Sequence, residues 1–93
     1  MEHLISRAIE LAKLAASRNE FPVGALVVDG ADILGEGFNQ KEALNDPTAH
    51  AEVLAIRQAA QQVGDWRLTG STIVTTLEPC PMCLGAILQA RVA

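Results

Sequence analysis

The sequence predicts an α/β unit in three layers, with the element order α-β-β-α-β-α. Three observations lead there. Apolar residues recur at helical spacing in three separate segments. Between the first and second of these lie two short apolar runs joined by Asp29-Gly30, a turn signal that reads as a hairpin. A third run, Thr72 to Leu77, is β-branched and comes just before the last helical segment. A strand, a crossover helix and another strand then imply a third strand parallel to its neighbour.

Each element has its own signal. Residues 2 to 18 set Leu4, Ile5, Ala8, Ile9, Leu11, Ala12 and Ala15 along one side and charges along the other. Asn19 offers a stop for that helix. Val23 to Asp29 is a compact apolar strand, and Ile33 to Phe38 returns as a second, broken by Gly35 and Gly37. Asn39 to Asp46 reads as a polar loop. Asp46-Pro47-Thr48 is expected to open the second helix, because Asp can cap and Pro is tolerated in the first turn. Val53, Ile56, Ala60 and Val63 would be its apolar face and Gly64 its end. Asp65 to Gly70 is a connector in which Trp66 is expected to anchor packing. The last helix runs from about Pro81 to Ala90, with Leu84, Ile87 and Leu88 expected inside. With only three strands in these 93 residues, the third keeps a bare edge unless something outside them covers it.

Composition narrows the function classes. Ninety-three residues form one small domain, 1–93, and 49% apolar residues allow a packed core. The net charge is −4, and the seven Lys and Arg are scattered, which argues against a large nucleic-acid surface within this segment. Glu2, Arg7, Glu10 and Lys13 interrupt every apolar run near the start, so neither a secretory segment nor a membrane span is expected. Two cysteines in C-x-x-C spacing fit a reducing compartment, the cytoplasm.

The chemistry is carried by Pro79-Cys80-Pro81-Met82-Cys83 and by His50-Ala51-Glu52. At helical spacing Cys80 and Cys83 share one face. Alone they fit a redox pair, half of a structural zinc site, or two buried small residues. His50 alone reads as a helix-terminal histidine, and Glu52 as a solvated first-turn acid favoured by the helix dipole. Together, H-x-E followed by P-C-x-x-C is the signature of zinc deaminases. Two thiolates and an imidazole suit zinc with one position left open. Both segments begin helices, whose positive ends stabilise thiolates. Zinc lowers the pKa of a bound water from about 15.7 to about 7. Glu52 would not be a ligand; it would carry that water's proton to a ring nitrogen and to the departing amine.

These segments, with Pro22-Val23-Gly24-Ala25, Gly35-Glu36-Gly37-Phe38-Asn39, Asp46-Pro47-Thr48-Ala49 and Trp66-Arg67-Leu68, resemble the zinc-dependent cytidine/deoxycytidylate deaminase superfamily. The chain most closely resembles the bacterial tRNA-specific adenosine deaminases. The resemblance implies a cytidine-deaminase-like sandwich, Zn2+ held by His50, Cys80 and Cys83, and Glu52 as proton shuttle. It implies that Asn39 hydrogen-bonds the substrate and Val23 lines the base pocket; a turn residue and a core residue are the plainer readings of the two. It implies conversion of adenosine to inosine at the wobble position of a tRNA anticodon loop, by a homodimer. Bacterial guanine deaminases, which act on a free purine base, share Asn45 to Val53 and Glu78 to Ile87. Pro22-Val23, Trp66-Arg67-Leu68 and Thr76-Leu77 favour the tRNA enzymes. Members of the family continue into further strands and helices that wall off the substrate. The isolated chain is therefore expected to be poorly active, its pocket open to water. A zinc-binding module that acts only in oligomerisation and a redox dithiol remain the competing classes.

Overall fold

In a computed structural model, residues 1–92 are described. The chain forms α1 (Glu2–Ser17), β1 (Gly24–Asp29), β2 (Asp32–Phe38), α2 (Lys41–Leu44), α3 (Ala51–Val63), β3 (Thr72–Thr75) and α4 (Pro81–Ala90). Helix α1 ends as expected: Asn19 adopts φ 60, and Glu20 N donates back to Ala15 O at 3.0 Å. In the hairpin loop Gly30 sits at φ 61, where a side chain would be strained. Pairing shifts by one residue between Val27 and Val28, leaving Leu34 as a bulge.

The sheet order is β2-β1-β3, and β1 runs antiparallel to both neighbours. This corrects the expectation that β3 is parallel to its neighbour. The crossover through α3 does make β3 parallel to β2, the strand it leaves, but β1 lies between them. Period-2 alternation splits β1 between two cores. Leu26 and Val28 face Leu4, Ala8 and Leu11 of α1. Ala25 and Val27 face Ala51, Ala55 and Ala59 of α3, with Leu68 and with Ile87 and Ala90 of α4. The result is one helix on one face of the sheet and two on the other.

The buried stripe of α3 is therefore Ala51, Ala55 and Ala59; of the expected face, Ile56 packs half-buried against that core, Val53 and Ala60 are half-buried, and Val63 is exposed. The reason lies on β2. A Cβ added at Gly37 would lie 2.7 Å from Ala55 N, and one at Gly35 would lie 2.6 Å from Ala59 N. The backbones touch, and only alanines fit between them. Gly24 meets α1 in the same way, a Cβ there falling 2.7 Å from Ala12 N.

Other expectations shift as well. Asp46 does not cap α3: its Oδ1 accepts from Thr48 N and Oγ1, closing a local turn, and α3 begins only after His50. The loop 39–46 contains the one-turn α2, because the buried Glu20 carboxylate accepts from Glu42 N at 3.1 Å and Ala43 N at 2.8 Å. Trp66 is half exposed and stacked by Arg67 and Arg91, 4.5 and 5.4 Å from its ring centroid, rather than inserted in a core. Helix α4 spans the expected residues but buries Cys83, Ile87 and Ala90; Leu84 and Leu88 are 48% and 76% exposed. Strand β3 is an edge among the described residues.

Candidate metal centre

The candidate site lies where β2 and β3 end and β1 begins, at the carboxyl ends of the two outer strands. Past β3, Thr76 N donates to Gly24 O and Gly24 N donates to Thr76 Oγ1, both at 3.1 Å. These bonds fix the exit of the strand and aim Leu77 to Cys80 at the start of α4. Cys80 is the N-cap of α4, with Pro81 in its first turn, and His50 is the N-cap of α3. The two ligand-bearing segments thus enter their helices side by side.

Three donor atoms converge there. Cys80 Sγ lies 3.6 Å from Cys83 Sγ, and His50 Nδ1 lies 3.6 Å from Cys80 Sγ and 3.5 Å from Cys83 Sγ. Zinc bonds of about 2.3 Å to sulfur and about 2.0–2.1 Å to nitrogen, at tetrahedral angles, set two sulfurs about 3.8 Å apart and sulfur about 3.6 Å from nitrogen. The observed triangle has the dimensions of a zinc site, so the residues fit the ion. Neither cysteine is in a disulfide, and an imidazole nearly equidistant from both sulfurs is what a metal needs and a dithiol couple does not. His3 is exposed on α1 and takes no part in the cluster.

The two thiols differ in their surroundings. Cys80 is held below the usual thiol range, chiefly because the Cys83 N–H points at its sulfur. Burial pushes the Cys83 thiol up to about 12, and a hydrogen bond from Cys80 and the charge of Glu52 act in the same direction. A cation supplies what the Cys83 thiolate lacks.

Beside the donors lies a cavity of about 210 Å³. That is below the roughly 300–1,000 Å³ of pockets for drug-sized ligands and suits a single heterocycle. His50, Ala51, Glu52, Cys80, Val23 and Asn39 line it, and the exposed Phe21, Lys41, Leu77 and Glu78 make its rim. Glu52 is 4% exposed, and among the described residues no donor holds its carboxylate. Val23 lines the cavity and also belongs to the core, so both readings of it apply. Asn39 is buried; in the orientation that satisfies both ends of its amide, Nδ2 donates to Ala49 O at 2.9 Å and Oδ1 accepts from Phe21 N at 3.3 Å. The amide thereby ties the segment leading into β1 to the segment leading into His50. Sequence reasoning missed Glu20, Phe21 and Lys41. No local spacing marks them, since Glu20 works on a helix more than twenty residues away.

Comparison with known proteins follows the same residues. The family described as the cytidine and deoxycytidylate deaminase zinc-binding region matches residues 1–93. A tRNA-specific adenosine deaminase of Haemophilus influenzae is 49% identical over 92 residues, 98% of this chain and 53% of that protein. A structure solved in a study of A-to-I editing by tRNA:A34 deaminases superposes with TM-score 0.96 at 40% identity, over 99% of this chain and 67% of that one. The guanine deaminase of Bacillus subtilis superposes with TM-score 0.92 at 44% identity, over 98% of this chain and 59% of that one. The chain spans about half to two thirds of these relatives. The α/β sandwich, the three donors and the matched family agree: the chain belongs to the cytidine and deoxycytidylate deaminase zinc-binding family.

Proposed function

We propose that residues 1–93 form one zinc-binding domain of a hydrolytic deaminase, and that this deaminase converts adenosine to inosine at the wobble position of a tRNA anticodon. The observation that carries the reading is the buried Glu52 carboxylate facing a base-sized cavity beside His50, Cys80 and Cys83. In this proposal those three residues hold zinc, which when bound polarises water enough to make it a nucleophile near neutral pH. Glu52 takes one proton from that water and passes it to the ring nitrogen as the oxygen adds to the carbon bearing the amine; it then takes the remaining proton of the added hydroxyl and gives it to the amine, which leaves as ammonia as the carbonyl forms. With no partner of its own among the described residues, its carboxylate stays free to do so. Val23 bounds the base, and Asn39 hydrogen-bonds it or holds the wall of the cavity.

The choice of tRNA rests on relatives such as the Haemophilus enzyme. The likeness to a guanine deaminase supports a second reading, a free purine base in the same cavity. Zinc-loaded full-length protein should form inosine in an anticodon stem-loop and release no ammonia from guanine; the opposite result selects the second reading. No helix among the described residues is long and apolar enough to cross a membrane, and a tRNA substrate fits a cytoplasmic location. The open Leu84 and Leu88 face of α4 is the surface we assign to pairing of two copies. Light scattering reads that mass directly.

A further inference from the structure

The rim of the cavity holds residues that the deamination chemistry does not use. Phe21 is 62% exposed, yet its backbone is fixed: its N–H meets the Asn39 amide, and its carbonyl accepts from Val23 N at 2.8 Å. A large apolar ring is thus held in water at the mouth. Lys41 stands on the same rim, on the one-turn α2 whose backbone the Glu20 carboxylate grips. Lys41 forms no ion pair among the described residues. Leu77 is 51% exposed on the rim beside Glu78, the rim's acidic residue.

We propose that Phe21 and Lys41 form a clamp for a nucleic-acid strand, with Phe21 stacking on a base next to the one in the cavity and Lys41 taking an adjoining phosphate. The inference rests on the tRNA reading above and specifies how the strand is held. A free base carries neither a neighbouring base nor a phosphate, so such a clamp serves only a polynucleotide. Enzymes that act on a base pull it out of its stack, and an exposed ring beside the cavity replaces part of the stacking lost. The side chains sit on backbones fixed by buried polar groups, so little order has to be imposed on binding. The overall negative charge does not oppose this, because a single unpaired ammonium acts at contact range while distant charges are screened within about 8–10 Å.

The test uses the zinc-loaded full-length protein with Glu52→Gln, which holds substrate without turnover. The probe is a fluorescent RNA stem-loop with an unpaired adenosine in the loop, followed by anisotropy across a salt series. Phe21→Ala is expected to weaken binding about fivefold to a hundredfold, the worth of one stacked base, and Phe21→Trp to restore it. Lys41→Gln is expected to weaken binding about fivefold at low salt, the worth of one contact-range charge pair in water. It should also lower the slope of log affinity against log salt by about 0.7, one phosphate on a single strand. For each variant the loss measured with free adenosine should be at least several-fold smaller. Folded, zinc-loaded variants that bind the stem-loop with unchanged affinity and slope, or that lose free adenosine equally, overturn the clamp while leaving the tRNA reading intact. Wild-type protein that deaminates guanine and ignores the stem-loop overturns both.

Discussion

Replacing Gly37 by alanine should disable the metal centre through α3, the helix packed directly on it. The added Cβ would lie 2.7 Å from Ala55 N, where ordinary contact begins at 3.4 Å, and it would crowd Ala51 O more closely still. The difference, 3.4 − 2.7, sets a lower bound of about 0.7 Å on the retreat of α3 at its first turns, which carry Glu52 and follow His50, and the closer Ala51 O contact asks for more. Helix α4 does not follow freely, because its start is tethered to β1 through the Thr76–Gly24 bonds. The imidazole therefore moves relative to the two sulfurs by more than the roughly 0.2 Å that a zinc site tolerates. Overpacking of this kind costs about 1–3 kcal/mol of stability, and a disturbed ligand costs zinc affinity about 10- to 100-fold. Where activity can be measured, a misplacement approaching 1 Å lowers it about 100-fold. Thermal melting and chelator competition read the first two directly. Gly85→Ala is the control: beyond its own helix backbone nothing lies within 4 Å of its Cβ position, so it should stabilise by about 0.4–1 kcal/mol. A Gly37→Ala protein that melts and binds zinc like the parent would refute the reasoning.

Four further outcomes are expected. His50→Ala or Cys80→Ser should remove zinc as measured by elemental analysis, whereas Glu52→Gln should keep one ion per chain and lose about 100- to 10,000-fold in turnover. Because burial holds the Cys83 thiol up at about 12, zinc uptake near neutral pH should release at least one proton and tighten with rising pH; titration calorimetry in buffers of different ionisation heat counts it. Glu36 is held below its ordinary 4.5 by a hydrogen bond from Arg7, a two-pronged pair at 2.8 and 2.9 Å. That pair's stability is present above the unfolded pKa and disappears as pH falls through the lower folded value. Arg7→Gln should therefore cost about 0.5–1 kcal/mol at neutral pH, a small figure because both side chains are about a third exposed, and the cost should vanish in acid melts. Glu20→Ala should cost about 1–3 kcal/mol by stranding the N–H groups of Glu42 and Ala43, with new protease cleavage near residue 41 as the local sign.

The candidate metal ligands were legible because soft donors at short fixed spacing have few other uses, and because Pro79 and Pro81 flank Cys80 on a strand-to-helix turn that follows a β-branched run. The ends of α1 and α4 were legible for a similar reason: Asn19 and Pro81 act through their own backbones. The direction of β3 was not. The pattern reports a crossover from β2 but says nothing of β1 lying between them. The buried face of α3 was misjudged because hydrophobicity favours Val53 and Ile56, while the sheet spacing set by Gly35 and Gly37 admits only alanine. Leu84 and Leu88 looked interior by type, yet exposure depends on which element lies above them. The roles of Glu20 and Asn39 are tertiary, each bonding backbone from a segment remote in sequence, and no window of sequence contains both partners.

The central strand β1 is paired on both sides and sealed between two cores, whereas the three zinc donors hang from the opening turns of α3 and α4. Amide exchange should thus be slowest in Leu26 and Val27 and much faster at the helix starts. Cofactor can then enter and leave by local fraying, at a cost set by one or two turns, while the scaffold beneath never opens.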